Sequence, residues 1–129
     1  MKLKNAQIAA SLDPLARLIG QPLPVGISFK LKKLKKALAP VLDLINEEIK
    51  SINDQYTVKD DAGNNKPVVD QNGKVLEGYF ILSKEGAAER IKLDAVESEV
   101  EVEQINIADL PEKTLISEAD LEALDWLLI

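Results

Sequence analysis

The chain of 129 residues contains neither cysteine nor histidine. Its chemistry is therefore confined to carboxylates, to lysine and arginine, and to the hydroxyls of Ser, Thr and Tyr. Disulfides, Cys/His zinc sites, thiolate nucleophiles, imidazole general bases and imidazole pH switches are all ruled out by that count. Three groups of residues remain that could do chemistry. Lys30, Lys32, Lys33, Lys35 and Lys36 crowd one short stretch and could neutralise several phosphates or carboxylates. Glu99, Glu101 and Glu103 alternate with Val100 and Val102, which would give an extended segment one acidic and one apolar face. Asp60, Asp61, Asn64, Asn65 and Asp70 gather oxygen ligands in turn-rich backbone, the kind of loop that can hold calcium or magnesium.

Each group also has a plainer reading. The lysine stretch has no arginine and only Phe29 as an aromatic, so it offers neither bidentate base recognition nor a stacking platform. Lysines opposite an apolar stripe commonly form a solvated face, and here they could also pair with the acidic strand. The Asp/Asn loop lacks the alternating spacing of an EF-hand and reads as turns. With 22 acidic residues a hydrolytic carboxylate pair is conceivable, but none sits in a concave, partly apolar setting that would tune it. Gly-rich phosphate loops and the Gly-x-Ser-x-Gly elbow are missing. The expectation is a protein that is not an enzyme, with no catalytic residue, no cofactor and no metal.

The elements that must position these groups follow from periodicity. Asn5 reads as the N-cap of a first helix with Ile8, Leu12, Leu15, Leu18 and Ile19 on one face, kinked or split at Pro14 and stopped at Gly20. Gln21-Pro22-Leu23-Pro24 is a stiff linker. Ile27, Leu31, Leu34, Leu38, Val41, Ile45, Ile49, Ile52 and Tyr56 then recur every three or four residues, predicting a helical stripe about 45 Å long at ~1.5 Å per residue. Pro40 predicts a kink, or two helices sharing one face. An open stripe of that length would be easiest to cover with a second copy, so self-association is expected.

Residues 57–80 read as a turn-rich excursion, either a small hairpin across Gln71-Asn72-Gly73 or an ordered loop. Ser83 can cap a helix through Ala87, Ala88, Ile91, Ala95 and Val96, with Gly86 weakening its first turn. The segment 99–107 reads as a strand that changes phase at Glu103-Gln104, and 66–76 joins it in a small β element. Ser117-Glu118-Ala119-Asp120 resembles a capping box before a last helix, and Trp126-Leu127-Leu128-Ile129 reads as docked. The expected architecture is one α+β domain over 1–129, a long kinked amphipathic helix with shorter flanking helices and a small β element.

Charge is unevenly spread. Residues 1–50 hold nine Lys/Arg against four Asp/Glu, whereas residues 51–129 hold seven against eighteen. The two halves either neutralise one another or present one end to a partner of opposite sign. The basic N-terminus lacks a continuous apolar run, so no signal peptide is expected, and no stretch is apolar enough to span a membrane.

Met1-Lys-Leu-Lys-Asn-Ala-Gln-Ile8, Leu23-Pro-Val-Gly-Ile-Ser-Phe-Lys-Leu31, the Asp/Asn/Gly excursion at 60–73, Val100-Glu-Val-Glu103 with Ile105-Asn-Ile107, and Ile116-Ser-Glu-Ala-Asp-Leu-Glu-Ala-Leu124 run through nearly the whole chain. In these the chain resembles a group of small proteins of unknown function encoded by tailed phages and prophages of Gram-positive bacteria. The resemblance implies a phage context, with the host cytoplasm or the virion as location, and carries over no catalytic or binding residue. The leading expectation is a non-enzymatic interaction protein in virion assembly or a structural accessory, touching a phage structural or host protein through Lys30, Lys32, Lys33, Lys35 and Lys36, with Glu99, Glu101 and Glu103 as the second surface. An inhibitor or modulator of a host protein acting through the acidic surface is one alternative. A nucleic-acid-binding accessory using the lysines is another, and the composition of the lysine stretch argues against it.

Overall fold

Lys2–Lys4 forms a short strand, β1, before the first helix begins. It pairs antiparallel with β2, Glu97–Glu99, in the register Lys2 to Glu99, Leu3 to Ser98 and Lys4 to Glu97. The computed structural model describes residues 1–129, and its further elements are α1 (Asn5–Ile19), α2 (Val25–Tyr56), α3 (Lys84–Ala95), a 3-10 turn at Ile107–Asp109 and α4 (Glu118–Ala123). This is an α+β protein. The chain divides into two compact units, one made of Met1–Leu44 with Ala95–Ile129 and one of Ile45–Asp94. The turn-rich residues 57–80 fall inside the second.

In the first unit, β1 changes the reading of Asn5. Pairing with β2 carries the extended backbone up to Lys4, so Asn5 becomes the first helical residue instead of the cap. Its N–H donates to the Val96 carbonyl at 2.9 Å, and its side-chain oxygen accepts from the Ser98 hydroxyl at 3.0 Å. Gln7 closes the helix start by accepting from the Lys4 N–H at 2.9 Å. α1 runs on through Pro14 as one helix and ends at Gly20, which has ordinary right-handed dihedrals. Its buried row is Ile8, Ser11, Leu15 and Leu18, while Leu12 is turned out at 41% exposure. Ser11 can be buried because its hydroxyl donates to the Ile8 carbonyl at 2.8 Å, which satisfies the polar group locally.

α2 is likewise a single helix with Pro40 inside it. Leu31, Leu34 and Leu38 are 0%, 6% and 1% exposed, and at about 1.5–3 kcal/mol each they anchor the helix firmly. Ile45 and Ile52 are also buried. The seam expected to call for a second copy is thus covered within the chain, and that argument for self-association falls away.

The acidic alternation does not form the expected strand. Only Glu97–Glu99 joins a ladder, and Val100 is buried next to it through its N–H to the Met1 carbonyl. Ile105 and Ile107 instead hydrogen-bond to the chain's last residues. The Ile105 N–H donates to the Leu127 carbonyl, the Ile129 N–H to the Ile105 carbonyl, and the Ile107 N–H to the Ile129 carbonyl, all at 2.8–2.9 Å. Segments 66–76 and 99–107 therefore do not make one β element, since each finds other partners. Leu124, Trp126, Leu127 and Leu128 are buried, as an apolar terminus this dense requires. Ser117 caps α4 by accepting from the Asp120 N–H at 3.1 Å. The reciprocal half of the capping box is replaced, because Asp120 is engaged by Arg17: Nε donates to Oδ2 at 3.0 Å and Nη2 to Oδ1 at 2.6 Å.

In the second unit, the segment leaving α2 and the segment entering α3 run antiparallel. The Val58 N–H donates to the Ile81 carbonyl at 2.7 Å and the Ser83 N–H to the Tyr56 carbonyl at 2.9 Å. Between them lies the hairpin expected at Gln71-Asn72-Gly73, with Val69 opposite Val75, and a second tight turn, with Lys59 opposite Asn65. Gly63 and Gly73 take φ of +82° and +80°, the left-handed backbone those turns demand. Ser83 caps α3 as expected, accepting from the Gly86 N–H at 3.2 Å. The face of α3 differs from expectation: Gly86 is buried and Arg90 and Leu93 are half-buried, while Ile91 is 70% exposed.

Candidate functional site

The five lysines span about two turns of α2 and divide between two adjoining surfaces, with Lys33 bordering both. The helical repeat separates them into two rows. Lys30 and Lys33, followed by Ala37, form one. Phe29, Lys32, Lys36 and Ala39 form the other, with Lys35 beside it. The buried leucines Leu31, Leu34 and Leu38 run between the two rows, so the helix has two flanks with a sealed edge between them.

The first flank is met by the acidic segment. Lys30 Nζ and Lys33 Nζ lie 4.0 and 3.7 Å from the Glu103 carboxylate. Glu101, Leu34 and Ala37 complete a narrow cleft at the same place. These side chains are about half exposed, so each pair contributes only ~0–1 kcal/mol. Their significance is positional. The segment in which carboxylates alternate with valines, Val100 buried and Val102 half-buried, brings Glu103 to the lysines here and Glu101 to the edge of the same cleft.

The second flank is open. Lys32, Lys35 and Lys36 make no ion pair, and Phe29 beside them is 68% exposed. With Ile19 of α1, Lys33 and Ala39 they line a surface groove of about 660 Å³. The lysine stems contribute apolar walls while their ammonium groups stay in water at the rim. The lysines were legible in the sequence; the groove was not. Its floor needs Ile19 from a different helix, and only the spacing of Phe29, Lys32, Lys36 and Ala39 along one row hinted at it.

The acidic residues are dispersed. Glu99 accepts from the N-terminal ammonium at 2.8 Å, and that bond, with the charge of the ammonium, holds its carboxyl below the ordinary range. Glu103 belongs to the lysine cleft. Glu101 is exposed and forms no ion pair.

In the Asp/Asn loops one carboxylate oxygen each of Asp60 and Asp70 is already engaged. Asp60 Oδ1 accepts the N–H groups of Ala62 and Asn64, each at 3.0 Å. Asp70 Oδ1 repeats the arrangement with Asn72 and Lys74 at 2.8 and 3.0 Å. Both are Asx-type turns in which the side chain organises its own backbone. Lys59 Nζ donates to the Asn65 side-chain oxygen.

The class that fold and site define is a small α+β protein with a cationic, partly apolar groove beside a long helix. Compared with protein-family models, with curated proteins and with solved structures, the chain matches none. No helix is long and apolar enough to cross a membrane.

Proposed function

We propose that this is a non-enzymatic interaction protein, phage-encoded, that works by protein–protein contact in virion assembly or as a structural accessory. The supporting observation is the second flank of α2. Lys32, Lys35 and Lys36 stand unpaired around the exposed Phe29 on a helix whose leucine edge is sealed in the core. Free charges of one sign on one face steer a partner of opposite charge and speed its association. The phage context rests on the opening Met1–Ile8, the Leu23–Leu31 lead-in and the Val100–Glu103 pattern. The acidic surface supports a contact role less well, because Glu99 and Glu103 already have cationic partners within the chain.

The test is a tagged pull-down from phage-infected cells with nuclease treatment, read by mass spectrometry, for the native chain and for Lys32→Glu/Lys36→Glu. Recovery of phage head or tail proteins by the native chain and their loss in the double variant is the expected outcome. Recovery of one host protein, unaffected by the variant, would replace the assembly role with the modulator reading. Capture that disappears on nuclease treatment would point to nucleic acid.

A further inference from the structure

Resting on that reading of the lysine flank, we infer the chemistry of its partner: an extended acidic peptide segment in which carboxylates alternate with apolar side chains. The chain itself shows how α2 receives such a segment. On the first flank Glu103 lies 3.7–4.0 Å from Lys33 and Lys30, Glu101 lines the same cleft, and the neighbouring Val100 and Val102 are buried and half-buried. The second flank has the same ingredients and no occupant. Lys32, Lys35 and Lys36 supply the cations, and Phe29, Ile19 and Ala39 supply an apolar floor.

Dimensions agree with an extended occupant. From Phe29 to Ala39 the helix advances ten steps, about 15 Å at 1.5 Å per residue. Five residues of strand cover roughly the same length at about 3.3 Å each. A partner of that kind places two or three carboxylates on the lysine rim and sends the alternate side chains onto Phe29. A nucleic-acid backbone would satisfy the lysines but leave the apolar floor unused, and the lone aromatic gives little for successive bases to stack on. An anionic membrane would want a broad, flat patch, whereas Phe29 and the lysines border a groove.

A fluorescent peptide of this chain's own residues 99–105, Glu-Val-Glu-Val-Glu-Gln-Ile, is the probe, titrated with the full-length protein and followed by anisotropy. Saturable binding is expected. It should weaken about tenfold or more in Lys32→Glu/Lys36→Glu and in Phe29→Ser, in the range typical of truncated interface anchors and reversed charges. Lys30→Ala, which lies outside the groove, should leave it unchanged and so locate the site on the second flank. Replacing the peptide's glutamates with glutamine, or its valines with serine, should abolish it. All the altered positions on the protein are exposed, so thermal melts verify that each variant is folded.

Failure of the native protein to bind the peptide overturns the inference. So does loss of binding only in Lys30→Ala, which would mean that the peptide merely displaces the chain's own segment from Glu103's cleft. If Phe29→Ser binds normally, the apolar half of the recognition is overturned and with it the alternating partner. Phosphatidylcholine–phosphatidylglycerol vesicles or a single-stranded oligonucleotide that displace the peptide, and themselves lose affinity in the same variants, would transfer the flank to a membrane or to nucleic acid. If Lys32→Glu/Lys36→Glu loses the phage proteins in the pull-down while the peptide never binds, the lysine-flank function stands and only the partner chemistry is overturned.

Discussion

Arg17 of α1 holds both carboxylate oxygens of Asp120 in α4, across 103 positions of sequence. Asp120 is 8% exposed, whereas the Arg17 side chain is more than half exposed. The guanidinium therefore covers a carboxylate that α4 has turned inward, and Ser117 caps the same residue's N–H. One fork-shaped contact ties the last helix to the first.

That contact has a pH signature. The Arg17 hydrogen bonds, opposed by burial and aided by its charge, hold the Asp120 carboxyl below its ordinary value of 3.8. A carboxyl lowered in the folded state contributes stability above its unfolded pKa and loses it as pH falls through the folded pKa. The melting temperature should therefore drop as pH is lowered from about 5 to below 3.8. Asp120→Asn should melt lower at neutral pH and show a shallower acid slope. Equal slopes for native and variant protein, measured by circular dichroism, would remove Asp120 from the account.

Gly86 should resist replacement. A Cβ there would stand 2.5 Å from Tyr56 Cβ and 2.8 Å from Leu82 Cδ1. Alanine gains about 1 kcal/mol of helix propensity, but overpacking of this kind costs about 1–3 kcal/mol, and a Cβ-to-Cβ clash has no flexible end to yield. Gly86→Ala is expected to lose stability in urea denaturation, against the rule for an exposed helical glycine. A gain of stability would show that α3 shifts freely away from Tyr56.

The docked terminus should be indispensable to the first unit. Leu127 is 1% exposed and its carbonyl accepts from Ile105. Leu127→Ala is expected to cost about 2–5 kcal/mol, the range for buried leucine truncation. Val25→Ala, at a position 86% exposed, is the contrasting variant and should stay within about 0.5 kcal/mol of native. Similar losses in both variants would contradict the packing described.

Calcium should not stabilise the Asp/Asn loops. Asp60 Oδ1 and Asp70 Oδ1 each accept two backbone N–H groups, so one oxygen of each is committed to holding its turn, and gathering these acids around a cation would require that backbone to rearrange. Melting curves with millimolar calcium and with EDTA should coincide. A rise of several degrees with calcium, lost in Asp60→Asn or Asp70→Asn, would show that the loops rearrange around the ion.

Much of this molecule is local in origin and was readable from the sequence. The α2 stripe from Ile27 to Tyr56, the Gly20 stop, the hairpin at Gln71-Asn72-Gly73 and the caps at Ser83 and Ser117 depend on spacing within a few residues. So does the clustering of Lys30 to Lys36. Asn5, in contrast, lost its capping role and residues 99–107 gave up their ladder because distant segments, β2 and the C-terminal residues, took the same backbone groups. Leu12 and Ile91 face outward because the buried face of each helix falls on other residues. Pro14 and Pro40 each remove one backbone donor, yet α1 and α2 continue past them.

The sequence alone determined which residue types were present for chemistry, the long amphipathic helix and the lysines along it, because composition and helical periodicity are local properties. Only the tertiary structure decided that Glu103 would occupy Lys30 and Lys33 while Lys32, Lys35 and Lys36 stayed free beside Phe29. Which flank of a helix is covered depends on where segments more than sixty residues away come to rest, and no periodicity within the helix encodes that.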